Sequence, residues 1–350
     1  MISATVLSYL REWLELQRTQ LQPSTLRSYR LAVENYLGPR IGHVTLDELD
    51  PPTLTRLYGD LLVRGGLHGK PLSLKSVRYV HSVLHKALED ARRAGLVARN
   101  VSDDAVLPRV DPRTGETDER RHQTWTAAQL RTFLAAVEHH PHRWLWHVAA
   151  GTGMRRGELL GLTWEHVDLR QGVLRVRQAL TAANGETRLK ATKTGRPRTL
   201  HLDQHTSDAL REQRRHQEDL REAARTGWGN PWDLVFTTRV GGPVHPSIVT
   251  REFAHAVQVL PVPRIRLHDL RHTHATLLLE AGVPVKVVSE RLGHASIQLT
   301  LDTYAHVLPS MDSDAAERFA EHVWGAHDHR PPDEGRDAAL TDGNSIGTLL

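Results

Sequence analysis

The chain contains no cysteine, so a disulfide framework and thiolate metal sites are both excluded. No apolar run approaches the roughly 20 residues that a membrane-spanning helix requires. The first residues, Met1-Ile2-Ser3-Ala4-Thr5-Val6, lack the basic start and long apolar stretch of a secretion signal, and the simplest expectation is a cytoplasmic protein with no membrane partner. Lysine is scarce: six of the 45 basic residues, the other 39 being arginine. What is present is ordinary for a globular protein. Hydrophobic residues make up 39% and charged residues 25% of 350 positions, enough chain for two domains with their own cores.

The formal net charge of +4 is unevenly placed. Residues 326–350 carry two basic and five acidic side chains, a net of −3, which leaves +7 on the rest. A basic body favours a polyanionic partner, but it is equally consistent with plain solubility. Arginine grips phosphate bidentately, yet the base composition of the gene explains the arginine excess as well. Charge alone does not identify a DNA-binding protein.

Residues 1–105 read as all-helical. Val6, Leu7, Leu10, Trp13, Leu14 and Leu16 make an apolar stripe at helical spacing. A second helix is expected from Pro23 to Leu37, ended by Gly38-Pro39, a third from about Pro52 to Val63, and a fourth from Ser73 to about Ala94, closed by Gly95. Residues 106–124 are polar, with two prolines and one glycine, and read as a linker. Residues 125–325 are mixed. Helices are expected near 126–139, 143–152, 156–162, 206–225, 247–259, 268–281, 284–292, 296–305 and 311–324, with three short strands at 173–178, 187–191 and 198–202. The acidic tail 326–350 is expected to be disordered.

Several basic elements precede Tyr304 in a fixed order. They are Arg155 in Thr152-Gly153-Met154-Arg155-Arg156-Gly157-Glu158, Lys193 in Thr192-Lys193-Thr194-Gly195, His268-Asp269-Leu270-Arg271, and Leu292-Gly293-His294, ten residues before Tyr304. A nucleophile surrounded by cations and proton donors, without an obvious metal site, suits attack of a tyrosine on a phosphodiester. The phenol, with an ordinary pKa near 10, must lose its proton, charge gathers on the non-bridging oxygens, and the departing sugar oxygen needs a proton. Fixed guanidinium groups can meet the second need in place of magnesium. Taken singly, each element has a plainer reading: Arg155 and Glu158 as a surface helix pair, Lys193 (or its neighbour Lys190) on a basic hairpin touching only backbone phosphate, His294 as a helix cap, and Tyr304 as a half-buried core residue. His268 and His272 are spaced as metal ligands, but the Glu of His-Glu-x-x-His is missing, so no metal is expected. His272 and His274 read as packing or hydrogen-bonding residues.

Taken together, the order and wording of these elements resemble the tyrosine site-specific recombinase (phage integrase) family. The resemblance covers about 300 residues and implies a mostly α fold with a small antiparallel β-sheet. An N-terminal SAM-like helical bundle (1–105) would bind core DNA, and an α+β catalytic domain (125–325) would close with it into a C-shaped clamp. It selects Arg155 over Arg156, since the family's arginine lies two residues after the glycine, and Lys193 over Lys190, since Thr-Lys-Thr-Gly looks like the family's hairpin. It implies Arg155, Lys193, His268, Arg271 and His294 as catalytic residues around the nucleophile Tyr304, with Glu158 in support and no cofactor. It also implies a 3′-phosphotyrosyl link, a Holliday junction and a homotetramer on two double-stranded attachment sites. The free protein would be a monomer or weak oligomer, nucleoid-associated in the cytoplasm. The helix at 311–324 would pack on a neighbouring protomer or cover its own core. Arg27, Arg30, Lys75 and Arg78 are candidate phosphate contacts. The first helix begins almost at residue 3, which leaves no room for the extra arm-binding domain of many integrases and puts an accessory directionality factor in doubt. Two other functions share parts of this inventory: a type IB topoisomerase-like enzyme and a DNA-binding protein that has lost catalysis.

Overall fold

A computed structural model of the chain describes residues 4–66, 69–109, 123–183, 186–191, 197–304 and 311–325. The chain divides into two compact units. One comprises Met1–His122 with Thr181–Arg188, and the other Gln123–Leu180 with Leu189–Leu350.

Besides the strand residues of Thr181–Arg188, the first unit holds the helices α1 (Val6–Gln17), α2 (Pro23–Ala32), α3 (Gly38–Ile41), α4 (Pro51–Arg64) and α5 (Leu74–Arg93). Three starts follow from side-chain caps. The Thr5, Asp50 and Ser73 side chains accept from the backbone N–H groups of Ser8, Thr53 and Ser76. The apolar stripe of α5, Val77, Val80, Val83, Leu84, Ala87, Leu88 and Ala91, is entirely buried. Trp13 anchors α1, stacking on Tyr29 at 5.7 Å and donating to Asp90 at 2.8 Å. The expected stop at Gly38-Pro39 does not occur. A π-helical turn, Val33–Leu37, carries the chain straight into α3, and Gly38 itself is helical. The wider turn accommodates the proline ring and its missing donor.

The second unit packs an aromatic core of Trp125, Phe133, Trp146 and Phe253. Its helices are α6 (Ala127–Ala136), α7 (Arg143–Thr152), α8 (Arg156–Leu160), α9 (Gln204–Ala224), α10 (Pro246–Gln258), α11 (Asp269–Glu280), α12 (Val285–Leu292), α13 (Ile297–Tyr304) and α14 (Met311–Trp324). Among the described residues, β1 (Val167–Asp168), β2 (Val173–Val176) and β5 (Arg198–His201) form one antiparallel sheet in the order β1-β2-β5, with Val173 opposite His201 and Val176 opposite Arg198. A second, two-stranded sheet pairs β3 (Gln178–Ala183) with β4 (Glu186–Ala191). The single strand expected at 173–178 is therefore broken at Arg177, and β1 and β3 are additions.

This arrangement corrects the hairpin expected around Lys193. The two strands that flank it belong to different sheets, β4 pairing with β3 and β5 with β2. Lys193 itself, residues 110–122 of the linker and the tail 326–350 lie outside the described residues.

The element that organises the site is α11. Every residue from Asp269 to Thr276 is buried, so side chains on all of its faces meet protein. A helix buried all round places its polar residues where each needs a partner.

Candidate active site

Arg155 sits at the junction expected of it, as the residue preceding α8. Glu158, one turn on, binds it twice: the Arg155 backbone N–H and Nη1 each donate to the carboxylate at 2.9 Å. Arg155 Nη2 donates to the Gly293 carbonyl at 3.0 Å. Arg156 is exposed and turns to α10, donating to Thr250 Oγ1 at 2.7 Å, so only Arg155 joins the cluster.

Glu158 is 2% exposed. Its second partner is Arg198 on β5, which sequence reasoning missed. Nη2 and Nη1 of Arg198 donate to the two carboxylate oxygens at 2.7 and 3.1 Å, and its Nε donates to the Arg291 carbonyl at 2.9 Å. Burial alone would raise the Glu158 pKa, but the Arg198 and Arg155 partners win and hold it at about 2. A signal for Arg198 was available: in β5 it alternates with the buried Leu200, on the inward face of the strand.

Arg271, in the first turn of α11, is 3% exposed. Its Nη1 donates to the Gly153 carbonyl at 2.8 Å, while Nη2 is buried without a hydrogen-bond partner. Desolvation first, then the charge of Arg155, lowers its pKa to about 9. A buried guanidinium nitrogen left unsatisfied is costly unless an anion completes it.

His268 immediately precedes α11 in an exposed position, its ring edge-on to His272 at 5.3 Å between centroids. Desolvation and the Arg271 charge lower its pKa below the usual imidazole value. His294 follows Gly293, which ends α12 in the left-handed conformation with φ of +67°. Its Nδ1 lies 2.7 Å from Thr300 Oγ1, and desolvation together with Arg271, Arg155 and Arg198 brings its pKa to about 4. The arginine cluster opposes a positive charge on either imidazole, which leaves the cluster's own charge for an incoming anion.

Tyr304, the last residue of α13, is 1% exposed and packs against Ala275, Leu279, Val288 and Leu292. Its hydroxyl lies 2.8 Å from His272 Nδ1. Burial pushes the phenol up to about 12 against the opposing pull of Arg271. His272, expected only to pack or hydrogen-bond, thus meets the tyrosine. A second unforeseen support is Arg291, which donates to His274 Nε2 and to the carbonyls of His201 and Gly151, each at 3.0 Å. His274 in turn bonds the Ala150 carbonyl at 2.8 Å.

The structure therefore brings Arg155, Glu158, Arg271, His294 and Tyr304 together with Arg198, with His268 at the rim. Among the described residues no cluster of three or more His, Asp or Glu suits a metal ion. In the first unit, Arg27, Arg30, Lys75 and Arg78 are all exposed on α2 and α5. Arg30 approaches Glu15 at 3.6 Å, whereas Arg27, Lys75 and Arg78 enter no ion pair among the described residues.

The sequence profile of the phage integrase family matches residues 123–311, and that of the phage integrase N-terminal SAM-like domain matches residues 5–62. A tyrosine recombinase XerC-like protein of Caldanaerobacter subterraneus subsp. tengcongensis is 28% identical over 324 residues, spanning 88% of this chain and 81% of its own length. An integrase of Saccharopolyspora erythraea is 25% identical over 380 residues, spanning 92% and 83%. The fold is similar to that of the Tn1549 transposon integrase, solved in complex with a circular intermediate DNA, with a TM-score of 0.73 at 21% identity over 90% of this chain and 100% of that one. It is also similar to a lambda integrase dimer bound to a core site, with a TM-score of 0.60 at 17% identity over 84% and 97% of the two chains. No helix among the described residues is long and apolar enough to cross a membrane. The chain belongs to the phage integrase family.

Proposed function

We propose that this protein is a site-specific recombinase that cuts and rejoins double-stranded DNA through Tyr304. The observation that carries the reading is Arg271 Nη2, a buried donor without a partner beside Arg155 and the Tyr304 phenol. The scissile phosphate is the anion that completes it. Arg271 and Arg155 hold the non-bridging oxygens, and His268 and His294 add neutral hydrogen bonds to the same group. Glu158 and Arg198 fix the Arg155 guanidinium from behind.

In the first step the phenolic oxygen bonds to phosphorus as the P–O5′ bond breaks, leaving a 3′-phosphotyrosyl link and a 5′ hydroxyl protonated by Lys193. The hydroxyl of a partner duplex then attacks that link and releases Tyr304. One bond replaces another in each step, so neither ATP nor a metal ion enters the balance. Two duplexes exchange strands through a Holliday junction held by four protomers, the assembly in which lambda integrase has been captured. Phe319, Val323 and Trp324 of α14 are exposed, an apolar face suited to a neighbouring protomer. Arg27, Arg30, Lys75 and Arg78 grip the DNA backbone.

A nicked duplex built from the DNA that flanks the gene tests the reading. The wild type is expected to trap a covalent protein–DNA adduct in EDTA as well as in magnesium, and Tyr304→Phe to bind the duplex without forming it. An adduct that persists in Tyr304→Phe, or a wild type that needs a divalent ion, overturns it.

A further inference from the structure

The Tyr304 hydroxyl is buried, and among the described residues its one hydrogen-bond partner is His272 Nδ1 at 2.8 Å. The direction of that bond follows from satisfaction. Were Nδ1 the donor, the phenolic hydrogen would be left in the interior with no acceptor among the described residues. With Nδ1 as acceptor, both groups are satisfied, and His272 carries its ring proton on Nε2.

The same burial makes the phenol hard to ionise, raising its pKa to about 12. A proton acceptor must therefore stand at hydrogen-bond distance when the oxygen attacks. The other imidazoles near the site are engaged elsewhere. His294 Nδ1 faces Thr300 Oγ1, His274 lies between Ala150 and Arg291, and His268 approaches His272 rather than the tyrosine. The groups that face His272 set the electrostatic balance. Asp269, one turn earlier on α11, lies within electrostatic range of it and offsets a positive charge on the ring, while the Arg271 charge favours the phenolate.

We infer that His272 is the catalytic base that takes the proton of Tyr304. This rests on the reading of Tyr304 as nucleophile. The O–H bond breaks, an N–H bond forms at Nδ1, and the freed electron pair on the oxygen becomes the bond to phosphorus as P–O5′ breaks. In the rejoining step the attacking 5′ hydroxyl gives its proton back to Lys193 as its oxygen bonds to phosphorus, and His272 returns the other proton to the departing phenolate. The imidazole and the tyrosine thus form one unit, carried on α11 and α13, with Asp269 balancing its charge.

The test is the single-turnover rate of adduct formation on the nicked duplex from the flanking DNA, followed across the range in which imidazole titrates. Wild type, His272→Asn and Tyr304→Phe are compared, with folding checked by thermal melting. Asparagine keeps a hydrogen-bond acceptor near the position of Nδ1 but cannot take a proton. The expected result is a rate lowered on the order of 100-fold, the scale of a lost general base, together with loss of the rise in rate with pH expected of the wild type. A His272→Asn protein that matches or exceeds the wild-type rate with an unchanged pH profile overturns the inference while leaving the recombinase reading intact. An adduct formed by Tyr304→Phe sinks the nucleophile assignment itself. An arm independent of DNA uses nitrogen-15 NMR of the wild-type imidazoles. Nδ1 of His272 is expected unprotonated and shifted by Tyr304→Phe, and a protonated Nδ1 in the hydrogen bond rejects the inference.

Discussion

Glu158 and Arg198 meet side by side, Oε2 to Nη2 at 2.7 Å and Oε1 to Nη1 at 3.1 Å, with both side chains almost out of water. Removing one partner of such a pair strands a buried charge. Glu158→Ala is expected to destabilise the protein by about 3–5 kcal/mol in urea titration. The contribution depends on pH in a definite sense. The folded pKa lies below the ordinary carboxylate value, at about 2, so the stability is present at neutral pH and is lost as pH falls toward 2. The variant's loss relative to wild type should shrink correspondingly in acid.

Gly153 ends α7 with φ of +63°, and a Cβ there would lie 2.7 Å from His274 Cδ2. Gly153→Ala combines left-handed strain with that clash. A loss of roughly 2 kcal/mol or more is expected, with slower adduct formation because the carbonyl that holds Arg271 moves. Unchanged melting temperature and rate would contradict this role.

His274 and His294 both titrate near 4 in the folded protein, below the ordinary imidazole value. The unfolded chain therefore binds more protons between the two values, and stability must rise with pH through that window. His274 is 8% exposed, and its shift corresponds to about 3 kcal/mol. Equilibrium unfolding between mildly acidic and neutral pH should show the slope, and His294→Asn should reduce it. A flat profile would contradict the neutral, buried state of these rings.

Replacing Lys75 or Arg78 with alanine should weaken binding to all duplexes alike and lower the slope of log affinity against log salt by about 1. Adduct formation at saturating protein should be unaffected. A change confined to one DNA sequence would mark a base contact instead.

Much of the site was legible because its residues are named by short motifs whose chemistry is local. Arg155 at a helix junction, Glu158 one turn on, Arg271 one turn from His268, and His294 after a glycine could all be read along the chain. The partners of Arg198 and Arg291 could not, since they lie far off in sequence: Glu158 for the one, Gly151 and His201 for the other; alternation with Leu200 marks only that Arg198 faces inward. His272 reads as a packing or hydrogen-bonding residue, but nothing near it in sequence announces that its partner is Tyr304, 32 positions away. Helix existence was clear from the apolar stripes, whereas the strand partners were not. Four short strands between 167 and 191 offer several pairings, and neighbours in sequence, β4 and β5, join different sheets. The proline after Gly38 does not end the helix for a local reason, a π turn that absorbs it.

Arg271 and Arg155 are each steadied by a main-chain oxygen, that of Gly153 for one and Gly293 for the other. Such an acceptor is present whatever side chain the residue bears, so no substitution can delete it; mutation can only shift the peptide that carries it. The aim of both guanidinium groups is thereby written into the path of the backbone.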